Sequence, residues 1–273
     1  MTAAPQTTLT TPASLQVVLI TGASAGIGYE TALAFARHGY KVAATARRQE
    51  RLEGLVKAAE GETGLTGEIV PFVADVTKAQ DMQNVVDSIM VRWGRLDVLI
   101  PNAGIGQRGA LVDSPWDDLD VVLRTNIDGV LHTVRAAVPA MRQSGGGHIV
   151  TLSSVLSIAI SPYATIYAVS KAALNAIVRG LRVELEPDSI WVTNILLGQT
   201  HSEFAKSRRG QEGRVAGKLP TMTAQFVAQR IFEEAHRNHR TVTLRLIDRL
   251  INFGGLYLPR LTDRLLGRVY KAK

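Results

Sequence analysis

The sequence predicts an α/β fold, a single doubly wound parallel sheet with helices on both faces. Three observations carry this. Short apolar runs alternate with longer segments of helical period across residues 15–246, the pattern of βαβ units whose strands are parallel and covered on both sides. A glycine-rich turn lies between the first strand and the first helix, where such folds bind ligands. The chain has 273 residues, 46% hydrophobic and 20% charged, which suits one large domain with a sizeable core.

The elements follow in order. LQVVLIT at 15–21 reads as a buried strand. A helix follows at 27–39, with Ile27, Thr31, Leu33, Ala34 and Phe35 on its apolar side and Gly39 ending it. KVAATA at 41–46 is the second strand and QERLEGLVKAAEG the second helix. EIVPFVADV at 68–76 is the third strand, weakened in its middle by Pro71. A helix at 79–93, the strand LDVLIPNAG, a long helix near 116–143 and the strand HIVTLSS come next. A helix over about 162–186, the strand IWVTNILLG and a helix at 223–238 complete the alternation. Right-handed crossovers then wind the sheet twice. Residues 199–220 are polar, contain glycine and follow a strand end, so they read as a substrate lid. Residues 1–14 read as a flexible tail, 15–246 as the catalytic domain and 247–273 as a basic amphipathic extension.

Composition excludes several classes. Without cysteine there is no disulfide, thiolate or Cys-type zinc chemistry. Residues 1–29 carry no charged side chain, which fits neither a secretory signal nor a transit peptide. No segment reads as a membrane span, and a cytoplasmic protein is expected. A long uncharged run within the domain, residues 149–170, is broken by hydroxyls and Pro162; a neutral active-site wall accounts for it. The net charge is +7, and from Arg240 onward eight Lys or Arg stand against two Asp, which leaves the remainder near neutral.

TGASAGIG at 21–28 places Gly22, Gly26 and Gly28 where the backbone must turn tightly and approach a ligand. The helix beyond offers free N–H groups and a positive dipole end to a pyrophosphate. A structural turn is the alternative reading. The spacing G-x-x-x-G-x-G, with Asp75-Val76, Asn102-Ala103-Gly104, Asn126, Ser154 and Tyr167-x-x-x-Lys171, resembles the short-chain dehydrogenase/reductase family over about residues 15–246. The resemblance implies a Rossmann fold and a catalytic set of Asn126, Ser154, Tyr167 and Lys171. It also implies cofactor contacts from Gly22, Ser24, Gly26, Ile27, Gly28, Asp75, Val76, Asn102, Ala103, Gly104, Tyr167, Lys171, Gly198, Thr200 and Ser202. Two positions depart from the family pattern: Pro101 where an Asn is usual, and Leu197 where a Pro is usual.

The catalytic stretch SPYATIYAVSK can be argued from geometry. Ser161 and Pro162 suit N-cap and N1, which predicts a helix start there. Residues four apart share a face, so Lys171 faces Tyr167 and not Tyr163. An adjacent ammonium lowers a phenol's pKa and makes it a usable acid or base; an exposed Tyr–Lys pair is the bland alternative. Ser154, at a strand's carboxyl end, can steady a developing oxyanion, with Ser153 on the opposite face as the rival. Asn126 is a poor helix former in mid-helix; a structural amide is one reading, and the resemblance implies a water-holding role in a proton relay through Lys171.

The ribose end is distinctive. An NAD site places Asp or Glu at the end of the second strand, about 20 residues past the glycines. Here KVAATA is followed by Arg47 and Arg48, and guanidinium pairs well with phosphate. NADP(H) is therefore the expected cofactor. Histidines 132 and 148 read as structural, and no metal is assigned.

The expected activity is hydride transfer between NADP(H) and a carbonyl or secondary alcohol. The expected pocket wall, Gln107, Leu156, Ile158, Ile160, Tyr163, His201 and Phe204, is largely apolar and suits a lipid-like, steroid-like or aromatic substrate. A non-catalytic NADPH sensor is the alternative. A homodimer or homotetramer is implied by the resemblance, and no nucleic-acid module accompanies the basic charge. At the C-terminus Arg260, Arg264 and Arg268 recur every four residues beside Leu261, Leu265 and Val269. That basic amphipathic helix packs on protein or lies on an anionic membrane.

Overall fold

The computed structural model describes residues 16–201, 203–205, 207–210 and 221–269. A sheet of seven parallel strands organises them. The strands are β1 (Val17–Thr21), β2 (Lys41–Ala46), β3 (Glu68–Val73), β4 (Val98–Ile100), β5 (Gly147–Ser154), β6 (Ile190–Leu197) and β7 (Thr241–Thr243). Their order is β3-β2-β1-β4-β5-β6-β7, reversing at β1 as a doubly wound sheet does. All five residues of β1 and all eight of β5 are buried, because helices cover both faces and an alternating pattern would expose half of them. Pro71 is tolerated because β3 is an edge: its one neighbour is β2, where it pairs with Ala44.

The helices are α1 (Gly26–Arg37), α2 (Gln49–Glu60), α3 (Ala79–Trp93), α4 (Trp116–Leu123), α5 (Gly129–Gln143), α6 (Thr165–Glu184), α7 (Ala224–Glu234), α8 (Leu246–Tyr257) and α9 (Pro259–Val269). One apolar cluster packs α3, α5 and α6 onto one face of the sheet, with Met82, Ile89, Met141 and Leu174 fully buried. A second packs α1, α2 and α7 on the other face, with Phe35, Tyr40, Leu52 and Ile231 at its centre. The long helix expected near 116–143 is present, but a wide π-turn at Arg124–Asp128 joins α4 to α5. His148 spans β5 to its neighbours, bonded to Ala235 O at 2.9 Å and Thr193 Oγ1 at 2.9 Å; burial pushes its pKa down to about 4.

The helix expected from Pro162 starts three residues later, at Thr165. Tyr163 has φ +65°, in the left-handed region that a helix cannot contain. Its carbonyl accepts a hydrogen bond from Gly109 N–H at 2.9 Å, which fixes residues 161–164 as a turn. Two short parallel pairings tie the segments after β4 and β6 together: Gln107–Arg108 with Arg209–Gly210, and Thr200–His201 with Met222–Thr223.

Candidate active site

A cavity of about 790 Å³ opens beyond the carboxyl ends of the strands, where doubly wound sheets place their ligands. Its first wall is the glycine turn after β1. Gly22 has φ +69°, and a Cβ there would lie 2.9 Å from Ala103 Cα and Asn102 Nδ2. Asn102 explains the crowding: its Nδ2 donates to Thr21 O at 2.8 Å, and Ala103 N–H donates to Thr21 Oγ1 at 3.0 Å. Gly28 lies behind this wall, where a Cβ would come within 2.4 Å of Gly22 O. α1 starts with no side-chain cap and no acid in its first turn, so its N–H groups and positive dipole end stay open beside Gly26 and Ile27.

At the end of β2, Arg48 Nη2 donates to Ser24 Oγ at 2.9 Å. Arg47 Nη1 lies 3.9 Å from Asp75 Oδ2, and the Asp75 carboxylate also accepts from Thr77 N–H and Oγ1. Arg47, Arg48, Asp75 and Val76 all line the cavity. Uncapped helix donors, a cradle closed to any Cβ and two guanidiniums form a donor set that fits the pyrophosphate and adenosine end of a dinucleotide.

The reacting end lies between β5 and α6. Ser154 ends β5 in extended conformation and its Oγ accepts from Leu156 N–H at 3.1 Å. Behind it, Ser157 Oγ donates to Ser154 O at 2.5 Å, Asn175 Nδ2 to Ser157 Oγ at 2.8 Å, and Asn194 Nδ2 to Asn175 Oδ1 at 2.8 Å. This chain of amides holds the turn that carries Ser154. Ser153 instead donates to Lys171 O at 3.2 Å.

Tyr167 and Lys171 reach the same cavity from α6. Lys171 Nζ donates to Leu152 O at 2.8 Å and stands 5.9 Å from the Tyr167 ring centroid. Burial pushes the Lys171 pKa down to about 8. The Tyr167 phenol is pushed up to about 12 by burial, with hydrogen bonding to Ser154 pulling it partly back. An adjacent ammonium alone would lower it. Burial wins here, because the Lys171 head is turned onto a backbone carbonyl. Phe204 leans on Tyr167 with ring centroids 5.8 Å apart.

Asn126 sits in the π-turn, fully buried behind the cavity wall. Its Oδ1 accepts from Ile105 N–H at 2.9 Å, and its Nδ2 donates to Ile105 O and Ser170 Oγ, each at 3.0 Å. Ser170 Oγ in turn donates to Tyr167 O at 2.7 Å. The amide therefore clamps the loop after β4 to the turn of α6 that carries Tyr167.

Of the expected pocket wall, Gln107, Leu156 and Phe204 line the cavity, and so do Asn102, Ala103, Gly104, Gly198 and Thr200. Four residues do not. Ile158 faces a separate concavity beside Arg179, Arg182 and Arg240; Ile160 and His201 are exposed; and Tyr163 is carried off the wall by its left-handed turn. Ser202 lies outside the described residues, as does most of the stretch read as a lid.

Sequence reasoning missed the wall supplied by the C-terminal helices: Arg245, Asp248, Ile251 and Leu266. Arg245 Nε and Nη2 each donate to the Asp248 carboxylate at 2.7 Å, and Asp248 is 1% exposed. The pair presses on Gly198, where a Cβ would fall 2.2 Å from Asp248 Oδ1. An Arg-x-x-Asp spacing at a helix start was the available signal.

The chain is similar to known proteins. The chain is 39% identical to the 3-oxoacyl-[acyl-carrier-protein] reductase FabG of Thermotoga maritima over 183 residues, 67% of this chain and 73% of that protein. It is 36% identical to 11-beta-hydroxysteroid dehydrogenase 1A of Arabidopsis thaliana over 84% of this chain and 68% of that protein. Among solved structures it resembles an alcohol dehydrogenase from the archaeon Thermococcus sibiricus complexed with 5-hydroxy-NADP. There the TM-score is 0.74 and the identity 27%, over 85% of this chain and 97% of that one. Residues 16–213 match the family described as short chain dehydrogenase. With the sheet order, the glycine turn and the Ser–Tyr–Lys cavity, this match means that the chain belongs to the short-chain dehydrogenase family of oxidoreductases.

Proposed function

We propose that the protein is an NADP(H)-dependent carbonyl reductase or alcohol dehydrogenase acting on an apolar ketone, aldehyde or secondary alcohol. The observation that carries this reading is the convergence of Ser154, Tyr167 and Lys171 on the cavity whose far end holds Arg47 and Arg48. A bound nicotinamide supplies the hydride in reduction and accepts it in oxidation. Ser154 Oγ donates a hydrogen bond to the substrate oxygen as charge gathers on it. Tyr167 Oη gives that oxygen its proton; burial raises the phenol's pKa, so it holds this proton at neutral pH, and the Lys171 ammonium in the same cavity favours its transfer as charge gathers on the substrate oxygen. Lys171, with its pKa near 8, stabilises the phenolate left behind. Asn126, through Ser170, keeps Tyr167 in place.

NADP(H) rather than NAD(H) is supported by the absence of an acid after β2, by the two arginines there, and by the NADP analogue in the archaeal relative. Leu156, Phe204, Ile251 and Leu266 around the reacting end support an apolar substrate, as does the plant hydroxysteroid dehydrogenase among the relatives. As part of the same proposal, the protein is a cytoplasmic homodimer or homotetramer, which light scattering behind a sizing column and cell fractionation check. The functional test is a panel of apolar and polar carbonyl compounds followed by NADPH absorbance. Turnover of apolar members supports the reading. Tight NADPH binding with no turnover of any member would instead make the protein a cofactor sensor.

A further inference from the structure

The helix α8 is amphipathic in the wrong sense for a helix on a water-facing surface. Its inner face carries Asp248, Ile251 and Gly255 at spacings of three and four: Asp248 is buried, Ile251 lines the cavity, and Gly255 packs so closely that a Cβ would meet Ala159 at 3.0 Å. Its outer face carries Leu246, Leu250, Phe253 and Tyr257, again at helical spacing and 57–71% exposed. α9 extends the patch with Leu261 and Leu265, each 51% exposed. An exposed apolar stripe of this length on two adjacent helices marks a contact surface and not a solvated one.

Charge selects the occupant. Arg249, Arg260, Arg264 and Arg268 lie among these residues, against Asp263 and an Asp248 already paired with Arg245. Arg260, Arg264 and Arg268 have no carboxylate partner among the described residues. A second copy meeting this face across a two-fold axis would bring like charges together without acids to answer them. An anionic lipid surface answers both features, since apolar side chains enter the acyl boundary while arginines meet headgroups. No described helix is long and apolar enough to cross a membrane, so the helices lie on the surface.

We propose that the α8–α9 hairpin docks the protein on anionic membranes. Because Ile251 and Leu266 on its inner side line the cavity, docking places the catalytic cavity one helix layer from the lipid. The docking itself stands whether or not the cavity turns over a carbonyl.

Flotation of the full chain with phosphatidylcholine vesicles, with and without phosphatidylglycerol, tests this. Binding to the mixed vesicles is expected, with little to phosphatidylcholine alone and release by high salt. Each arginine near a charged surface is worth about fivefold. The triple variant Arg260→Gln, Arg264→Gln, Arg268→Gln should therefore partition about a hundredfold more weakly. Leu250→Ser with Phe253→Ser should abolish binding, and retention of the wild-type circular dichroism spectrum shows that these variants fold. Failure to float on anionic vesicles overturns the proposal. So does equal binding to neutral ones, or a dimer that dissociates in Leu250→Ser/Phe253→Ser while wild type ignores lipid.

Discussion

Replacing Arg48 by alanine separates the two nicotinamide cofactors. Arg48 is pre-organised by its 2.9 Å bond to Ser24 Oγ in the glycine turn. Arg47 is 68% exposed at its side chain, and the Asp75 carboxylate 3.9 Å away already takes part of its charge. A hydrogen bond to a charged group is worth about 1.5–3 kcal/mol, so losing Arg48 should lower kcat/KM for NADPH by roughly ten- to two-hundredfold. Both arginines are exposed, but Arg47 has no side-chain hydrogen bond among the described residues holding it in place, so it acts as a screened charge worth about 1 kcal/mol or less, and Arg47→Ala should cost about fivefold at most. Neither change should move kcat/KM for NADH by more than about twofold, because no 2′-phosphate is present to lose. Initial rates with both cofactors at fixed carbonyl substrate measure this. The reasoning fails if Arg48→Ala slows NADH and NADPH equally, or if Arg47→Ala is the more damaging.

Tyr167→Phe should cut turnover by about 10²–10⁴ while leaving NADPH binding, read by fluorescence quenching, unchanged; Tyr163→Phe, off the cavity wall, should stay near wild type on the same substrates. Gly198→Ala forces a methyl into the buried Arg245–Asp248 pair, and breaking such a pair costs about 3–5 kcal/mol, a fall in Tm of roughly 5–9 °C by calorimetry. His148 titrates near 4 in the fold and near 6.5 unfolded, so the unfolded chain binds the extra proton between those values and stability falls as pH drops through that window. Urea unfolding should show about 2 kcal/mol less stability at pH 5 than at pH 8 from this group, a loss absent in His148→Gln.

The succession of strands and helices along the chain and the catalytic spacing were readable because both are local periodicities. Short, β-branched apolar runs bounded by turn residues suit strands covered on both faces, and residues four apart on a helix share a face wherever the helix lies. What could not be read depends on contacts distant in sequence. Ser161 and Pro162 are good helix starters and predict a helical turn at Tyr163; the bond from Gly109, 54 positions earlier, overrides them. Ile158, Ile160 and His201 do not line the cavity, whereas Ile251 and Leu266 complete its wall from the far end of the chain. The upward shift of Tyr167 follows from burial, which composition does not report.

The wide turn at 124–128 has a consequence for how this region can change. Each helical residue rotates the chain by about 100°, and a π-turn is in effect one residue more than an α-helix needs. Leu119 and Val122 before it and Val130 and Val134 after it are all buried, so both flanking helices are phased to the core across that surplus residue. Shortening the segment by one would swing one of the two hydrophobic faces into water or pull the Asn126 amide off Ile105. Helices α4 and α5 can therefore vary in side chains, and in length only at their outer ends.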